Sequence, residues 1–457
     1  MIKLLYPGMH IKRWIAAGFL GLLVFLAGAG IMIETRPLGS NPLTVRVALF
    51  IIESLHLPLR PGTLGLLFTL AGIVICFVAF AYLLRSLMLA LDPEARAAEL
   101  PDIIFRRRKL AQGRRIVVIG GGTGLSTMLR GLKKFSSNIT AIVTVADDGG
   151  SSGKLQRQLN ILPPGDIRNC LVALADAEPI MTELFQYRFR DTVQPEHPVG
   201  HETAPAEIDG ERRTPKRETG YGEGLRDHAF GNLLIAAMCA INNGDFERGV
   251  RETSRVLNIR GRVLPTTVTH IALRAEMEDG SILDGETNIA SSHLKIKRVS
   301  LTPGDACPLT EVLEAIDKAE IIVLGPGSVF TSVIPNLLVR GVPEAIRKSK
   351  AKKVYVCNVM TQPGETAGFS AYDHVRAIEK HARMRVFDYV MVNTARPDKE
   401  MLDKYRKVGA VLVEADADRI KSESYRPLLG NYINQSDVVR HDSNLLAEDI
   451  IRLLDRQ

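Results

Sequence analysis

At 457 residues, with 46% apolar and 24% charged side chains, the chain is too apolar to be mainly disordered. It is long enough for about three compact units, or for one large domain with attachments. A formal charge of +7 raises nucleic acid as a partner until the charge is located, but residues 1–115 carry the whole excess, +8, and residues 116–457 sum to −1. The bulk of the protein is therefore not basic, and a nucleic-acid footprint is not supported. Five cysteines (Cys76, Cys170, Cys239, Cys307, Cys357) are widely spaced and form no CxxC pair, which argues against a disulfide framework or a zinc knuckle and fits a reducing compartment.

The first ninety-one residues predict a membrane hairpin. Ile15–Ile33 is an uncharged run of nineteen residues, about 29 Å long as a helix, and Leu64–Leu84 is a second of twenty-one. A cleaved signal peptide has a shorter apolar core, and no second span follows it so soon. Lys3, Lys12 and Arg13 precede the first span, while Arg85 and the cluster Arg106–Lys109 follow the second. By the positive-inside rule both termini are cytoplasmic, although Arg36, Arg46 and Arg60 in the loop weaken the bias. Trp14 and Tyr82 then belong at one interface. The expected localisation is the cell membrane, multi-pass, with the large C-terminal part in the cytoplasm. Residues 92–114 read as a charged juxtamembrane linker, either a lipid-head contact or a plain stop-transfer flank.

From Arg115 the pattern is α/β. Ile116–Ile119 is a β-branched run ending in glycines, Leu125–Phe135 has helical spacing, and Ile139–Ala146 is the next strand. Strand, glycine loop, helix and strand open a mainly parallel, helix-covered sheet. Further buried strands are expected at Ile321–Leu324, Val354–Val359, Tyr389–Val392 and Val411–Val413. Thr266–Ile289, with Asp279-Gly280 at its turn, is expected to add a hairpin to that sheet. Residues 191–222, rich in proline and charge, read as a mobile insertion rather than a domain.

In open α/β sheets ligands bind beyond the carboxyl ends of the strands, so the loops there carry the chemistry. Gly120–Gly124 opens a helix, where bare N–H groups and the helix dipole favour phosphate; the alternative is a tight turn without a ligand. The strict dinucleotide fingerprint fails, because Leu125 or Thr127 stands at its third glycine position. An NAD-dependent dehydrogenase is thereby the weakest reading. Asp147 and Asp148 end the second strand before Gly149-Gly150-Ser151-Ser152. They are candidate ligands for Mg²⁺ against phosphate oxygens, or Asp147 receives a ribose hydroxyl, or the pair is a solvated acidic turn. Gly153-Lys154 is not a P-loop, since Asp148 and Leu155 stand where that motif needs glycine and a hydroxyl.

Asp166 in Pro164-Gly165-Asp166-Ile167-Arg168-Asn169 is placed to cap a helix, and Arg168 to fork onto phosphate or carboxylate. His228, before the apolar helix Leu233–Ile241, is a proton donor, a ligand contact or a hydrogen-bonded structural group. Leu324–Thr331 supplies another anion-binding turn, and Asn358 and Thr361 end the next strand. Several such loops, two adjacent acids and no Ser–His or Cys–His pairing point to a nucleoside diphosphate rather than to acyl chemistry.

Arg115–Gly124 (RIVVIGGGTG), Thr144–Gly153 (TVADDGGSSG), Leu162–Asn169 (LPPGDIRN), His228–Leu233 (HAFGNL) and Leu324–Thr331 (LGPGSVFT) together resemble the gluconeogenesis-factor (YvcK-like) family. That family sits within the CofD-like group of 2-phospho-L-lactate transferases. The resemblance spans residues 115 to about 395, with a compatible tail. It implies a Rossmann-like domain over 115–457 that binds a phosphorylated ligand through Gly120, Gly121, Gly122, Thr123, Gly124, Gly149, Gly150, Ser151, Ser152, Arg168, Asn169, His228, Asn232, Gly325, Gly327, Ser328 and Asn358. The transferase branch moves a phospholactyl group from an activated nucleoside diphosphate to a deazaflavin, with an acid–metal site matching Asp147 or Asp148. The YvcK-like branch, which VADDGGSSG and LPPGDIRN favour, is associated with nucleotide sugars such as UDP-linked ones, gluconeogenic growth and cell-shape control, with no settled reaction. The oligomeric state stays open. The hairpin and the 191–222 insertion depart from the usual pattern of that family.

Overall fold

The computed structural model describes residues 11–34, 60–91, 108–176, 179–189, 225–435 and 438–455, with positions 50, 53, 54 and 105. The insertion expected at 191–222 lies outside the described residues, as do Lys3, Arg36, Arg46, Arg106 and Arg107. The chain divides into two compact units, Met1–Arg107 and Arg108–Gln457.

In the first unit, helices Ile11–Glu34 and Pro61–Leu91 contain apolar stretches Lys12–Met32 and Gly62–Ser86, each long enough to cross a membrane. Trp14 stacks on Tyr82 with ring centroids 4.4 Å apart, so the start of one helix meets the end of the other and the pair is antiparallel. Small residues let the backbones approach: a Cβ on Gly28 would lie 2.4 Å from the Thr69 amide nitrogen. The opposite faces carry Phe19, Leu23, Phe77 and Phe80, each more than half exposed.

In the second unit, Leu110 is buried and its carbonyl accepts from Ser137 N at 2.9 Å, so the last residues before the sheet already fold onto the domain. β1 (Ile116–Gly120), β2 (Ile139–Val143) and β3 (Arg262–Pro265) come first. β4 (Ala272–Met277), β5 (Ile282–Asp284) and β6 (Ile296–Thr302) follow, then β7 (Ile321–Leu324), β8 (Lys352–Val356), β9 (Tyr389–Asn393) and β10 (Arg426–Gly430). β11 (Ile433–Gln435) and β12 (Val439–His441) form a short hairpin. The main sheet has the order β10-β9-β8-β7-β1-β2-β3, and every pairing in it is parallel. β1, β2 and β7 are buried along their whole length, because helices cover both faces and leave no polar side to alternate with. Helix Gly122–Leu132 buries Leu125, Met128, Leu129 and Leu132 beneath the sheet, as their spacing predicts.

Three expectations change. The 266–289 hairpin does not extend the main sheet: β4 and β5 pair in a separate antiparallel sheet with β6. Val411–Val413 forms no strand and makes only an isolated bridge between Leu412 and Met360. The edge positions belong to β3 and β10, two short segments that each contain a proline (Pro265, Pro427) and that are not among the expected strands. Proline is tolerated there because an edge strand leaves one side of its ladder unpaired.

Candidate functional site

The chain runs from β1 through β2 to β3 on one side, then returns to the other side of β1 as β7. The loops after β1 and β7 therefore diverge, and a cleft opens between them where an α/β sheet reverses its order. Its volume is about 250 Å³. Gly122, Thr123 and Gly124 form one wall and Gly327 and Ser328 the other. Gly122 has φ +67°, and a Cβ on Gly124 would lie 2.6 Å from the Pro326 carbonyl oxygen, so the two walls touch only because glycine stands there. Gly325 makes the turn at the end of β7 with φ +74°. Helix Gly122–Leu132 starts after Gly121, which has no capping side chain, so beyond Gly122 N, which the Asp166 carboxylate takes, its first-turn N–H groups have no cap from Gly121.

Asn358 braces the β7 loop: its Oδ1 accepts from Gly327 N at 3.2 Å and its Nδ2 donates to Gly327 O at 2.9 Å. Gln362 Nε2 donates to Ser328 Oγ at 2.7 Å. Asn358 thus lines the cleft while its amide is spent on holding the loop. Arg440 and His441 from β12 also line it, some eighty residues beyond Asn358 and beyond any strand-end glycine signal.

A second group of residues lies at the ends of β2 and the following helices. Against the expectation of no Ser–His pairing, the fold brings Ser151 Oγ to 3.1 Å from His228 Nδ1, where it also accepts from Asn232 Nδ2 at 3.0 Å and Ala229 N at 3.3 Å. Arg168, 7% exposed, donates to Asn232 Oδ1 at 3.2 Å and to Asn169 Oδ1 at 2.9 Å, and its Nε has no partner. Ser152 is buried beside Gly165. Five residues from three separate motifs, Ser151, Arg168, Asn169, His228 and Asn232, are thereby one connected network. Burial, reinforced by Lys154, lowers the His228 pKa, so its ring is neutral at pH 7.

The two adjacent acids part company. Asp147 Oδ1 accepts from Gly149 N at 2.9 Å, whereas Asp148 Oδ1 accepts from Thr287 N at 2.9 Å and Thr287 Oγ1 at 2.7 Å. Among the described residues no three His, Cys, Asp or Glu side chains are arranged to hold a metal ion. The pair does not fit a joint Mg²⁺ site, because Asp148 is committed to the segment that starts the short helix Glu286–Ser291.

Asp166 corrects a sequence expectation. Its helix, Gly165–Leu174, has Pro164 at the cap position and no side-chain cap bond. The carboxylate instead accepts from Gly122 N, which ties the acid network to the glycine cleft. Burial, then Asp147, raises Asp166 to about 6 against the lowering effect of that N–H and of Arg168. Glu286, which sequence reasoning missed because it follows no main-sheet strand, is pushed up to about 9 by burial and by Asp147, Asp166, Glu365 and Asp148. The crowding has a pH signature. An ordinary glutamate near 4.5 in the unfolded chain loses its proton first, so stability falls as pH rises from about 4.5 to about 9. Glu286→Gln keeps the neutral shape. Thermal unfolding should show the variant more stable than the parent near pH 8 and equal to it near pH 4.5; the reverse order would remove the carboxylate repulsion.

Residues 116–433 match the family described as 2-phospho-L-lactate transferase CofD. A relative from Nostoc sp. that carries the gluconeogenesis-factor name is 41% identical over 453 residues, 98% of this chain and 92% of its own. The gluconeogenesis factor of Halalkalibacterium halodurans is 48% identical over 337 residues, 74% of this chain and 95% of its own. The crystal structure of a Bacillus halodurans protein, 47% identical, matches with a TM-score of 0.66 over 74% of this chain and 100% of its own. The Nostoc alignment takes in the N-terminal segment, so that segment is a feature of part of the family rather than a departure peculiar to this chain. The chain belongs to the CofD family and, within it, to the gluconeogenesis factors.

Proposed function

We propose that the protein is a membrane-tethered regulator whose α/β domain, on the cytoplasmic side, binds a nucleotide sugar of the UDP type and links carbon metabolism to envelope synthesis and cell shape. The observation that carries this reading is the glycine-walled cleft at the sheet reversal, with Thr123, Ser328 and Arg440 on its rim. Its helix start, of which Asp166 takes only Gly122 N, offers the next N–H donors and a positive dipole to a diphosphate, and Arg440 adds a cation. The gluconeogenesis-factor names of the relatives support the metabolic half. The two apolar helices, with Lys12, Arg13 and Arg85 at one end, support the tether and its orientation.

Calorimetry with UDP-glucose and UDP-N-acetylglucosamine tests it. Saturable binding by the protein, competed by UDP and not by NAD, is the expected result; no heat with either sugar nucleotide removes the reading. A second reading, a transferase of phosphorus-containing groups, is favoured by the CofD match and by the carboxylates Asp147 and Asp166, whose charges both act on Glu286. Turnover of an activated phospholactate donor with a deazaflavin, lost in Asp147→Asn, would select it over the regulator.

A further inference from the structure

Away from the glycine cleft, β6 and the helix Ala371–Ala382 wall a larger cavity of about 600 Å³. None of its lining residues lines the cleft. Its floor is apolar, with Val299, Leu301, Leu337 and Val339 buried. Arg298, Arg340, Lys380 and Arg383 stand around it, with Glu344 as the single acid.

The neighbouring cations on this face are neutralised locally: Lys297 by Glu276, Arg376 by Glu379 and Arg385 by Asp388. Lys380 is tethered through its Nζ to the Lys297 carbonyl at 2.8 Å. Among the described residues, Arg298, Arg340 and Arg383 have no ion pair and no hydrogen bond from their guanidinium groups. The wall between them adds no negative charge. His381 is 8% exposed, accepts from Val299 N at 3.0 Å through Nε2, and sits 2.7 Å from the Ala377 carbonyl through Nδ1. That geometry requires the neutral ring with its proton on Nδ1.

Three guanidinium groups without an ion pair and an ammonium stand around one recess; Glu276, across the ladder from Arg298, and Glu344 are the acids near them, and four cations against two acids leave an excess that an anion can join. A concave low-dielectric floor focuses their field into the recess. The arrangement stands out because residues 116–457 as a whole sum to −1. Guanidinium forks match phosphate oxygens in pairs, and a cavity of this volume is of the size that takes a small metabolite.

We propose that this groove is a second anion site, separate from the glycine cleft, that takes a phosphate group carrying at least two negative charges. A small phosphorylated metabolite and a phosphate-monoester lipid headgroup share that chemistry. The test uses the full chain in detergent, inorganic pyrophosphate as the probe, and the triple variant Arg298→Gln, Arg340→Gln, Arg383→Gln. The wild type is expected to bind the probe, and the variant to bind it at least about tenfold more weakly with an unchanged melting temperature. The three Arg→Lys changes, which keep charge and lose the fork, should fall between the two. This comparison holds whether or not the cleft binds a sugar nucleotide, because every cleft residue is left intact. Repetition in phosphatidylcholine nanodiscs with and without phosphatidic acid separates the two sources. Weaker pyrophosphate binding in the acidic discs assigns the site to the headgroup, and unchanged binding assigns it to a soluble metabolite. Equal affinity in wild type and triple variant, or no pyrophosphate binding by the wild type, overturns the proposal.

Discussion

Replacing Arg168 with leucine should cost about 2–4 kcal/mol of folding stability, because two acceptors, one of them buried, lose their donor at about 1–3 kcal/mol each. The guanidinium is 7% exposed and donates to both Asn232 and Asn169. It also holds opposite charge near Asp166 and Asp147, whose fields act back on it. Burial is nevertheless the larger influence and lowers its pKa to about 10, so the group remains a cation at neutral pH. Leucine would leave two amide oxygens without a donor and the carboxyl groups of Asp166 and Asp147 without this counter-charge. Arg168→Lys keeps the charge but cannot serve both amides in one plane, so an intermediate loss is expected. Urea unfolding of residues 108–457 is the measurement. A loss below about 1 kcal/mol, the level of a surface ion pair, would show that Arg168 is not the hub of this network.

Gly124→Val should abolish measurable nucleotide-sugar binding while leaving the Arg168 network folded. A Cβ at this position would lie 2.6 Å from the Pro326 carbonyl oxygen and 2.9 Å from its carbon. Those atoms are backbone, so no side chain can rotate away and the two cleft walls must separate. Overpacking of this kind costs typically about 1–3 kcal/mol, less than the fold tolerates, but it displaces the helix N-terminus from the position a diphosphate would need. Gly304→Ala is the matched control, because its Cβ would meet only the Leu301 carbonyl oxygen at 3.5 Å. Calorimetry on both variants decides the matter: wild-type affinity in Gly124→Val would mean that the ligand does not sit between these loops.

Much of this architecture is legible in the sequence because local chemistry repeats it. Uncharged runs of nineteen and twenty-one residues have no other good use than long apolar helices. A β-branched run followed by Gly120–Gly124 announces a buried parallel strand and a helix start, and β1 with helix Gly122–Leu132 is the result. Strand candidates failed where pairing rather than composition decides. Val411–Val413 is apolar enough for a strand but meets Met360 only as a bridge, while proline-bearing β3 and β10 take the edges.

The site divides along the same line. Glycine, serine and arginine motifs at strand ends mark themselves, since only certain residues suit tight turns and phosphate-facing N–H groups. Their partners do not. Asp166 looks like a helix cap until the fold brings its carboxylate to Gly122 N, more than forty residues away. Asp147 and Asp148 are neighbours in sequence, yet their side chains leave a strand end in different directions, one to Gly149 and one to Thr287. Glu286, Arg440 and the Arg298–Arg340–Arg383 groove carry no local signature at all.

Charge shows the contrast most plainly. By itself the sequence determined that the +7 lies entirely in the first 115 residues, because a sum over positions needs no coordinates. That sum gives no support to nucleic acid as a partner of residues 116–457. Only the tertiary structure decided that within residues 116–457, which sum to −1, some arginines are neutralised by neighbours while Arg298, Arg340 and Arg383 line one cavity without an ion pair. Net charge is additive along the chain, but the field at a site depends on distances between residues far apart in it, and those distances are set by packing.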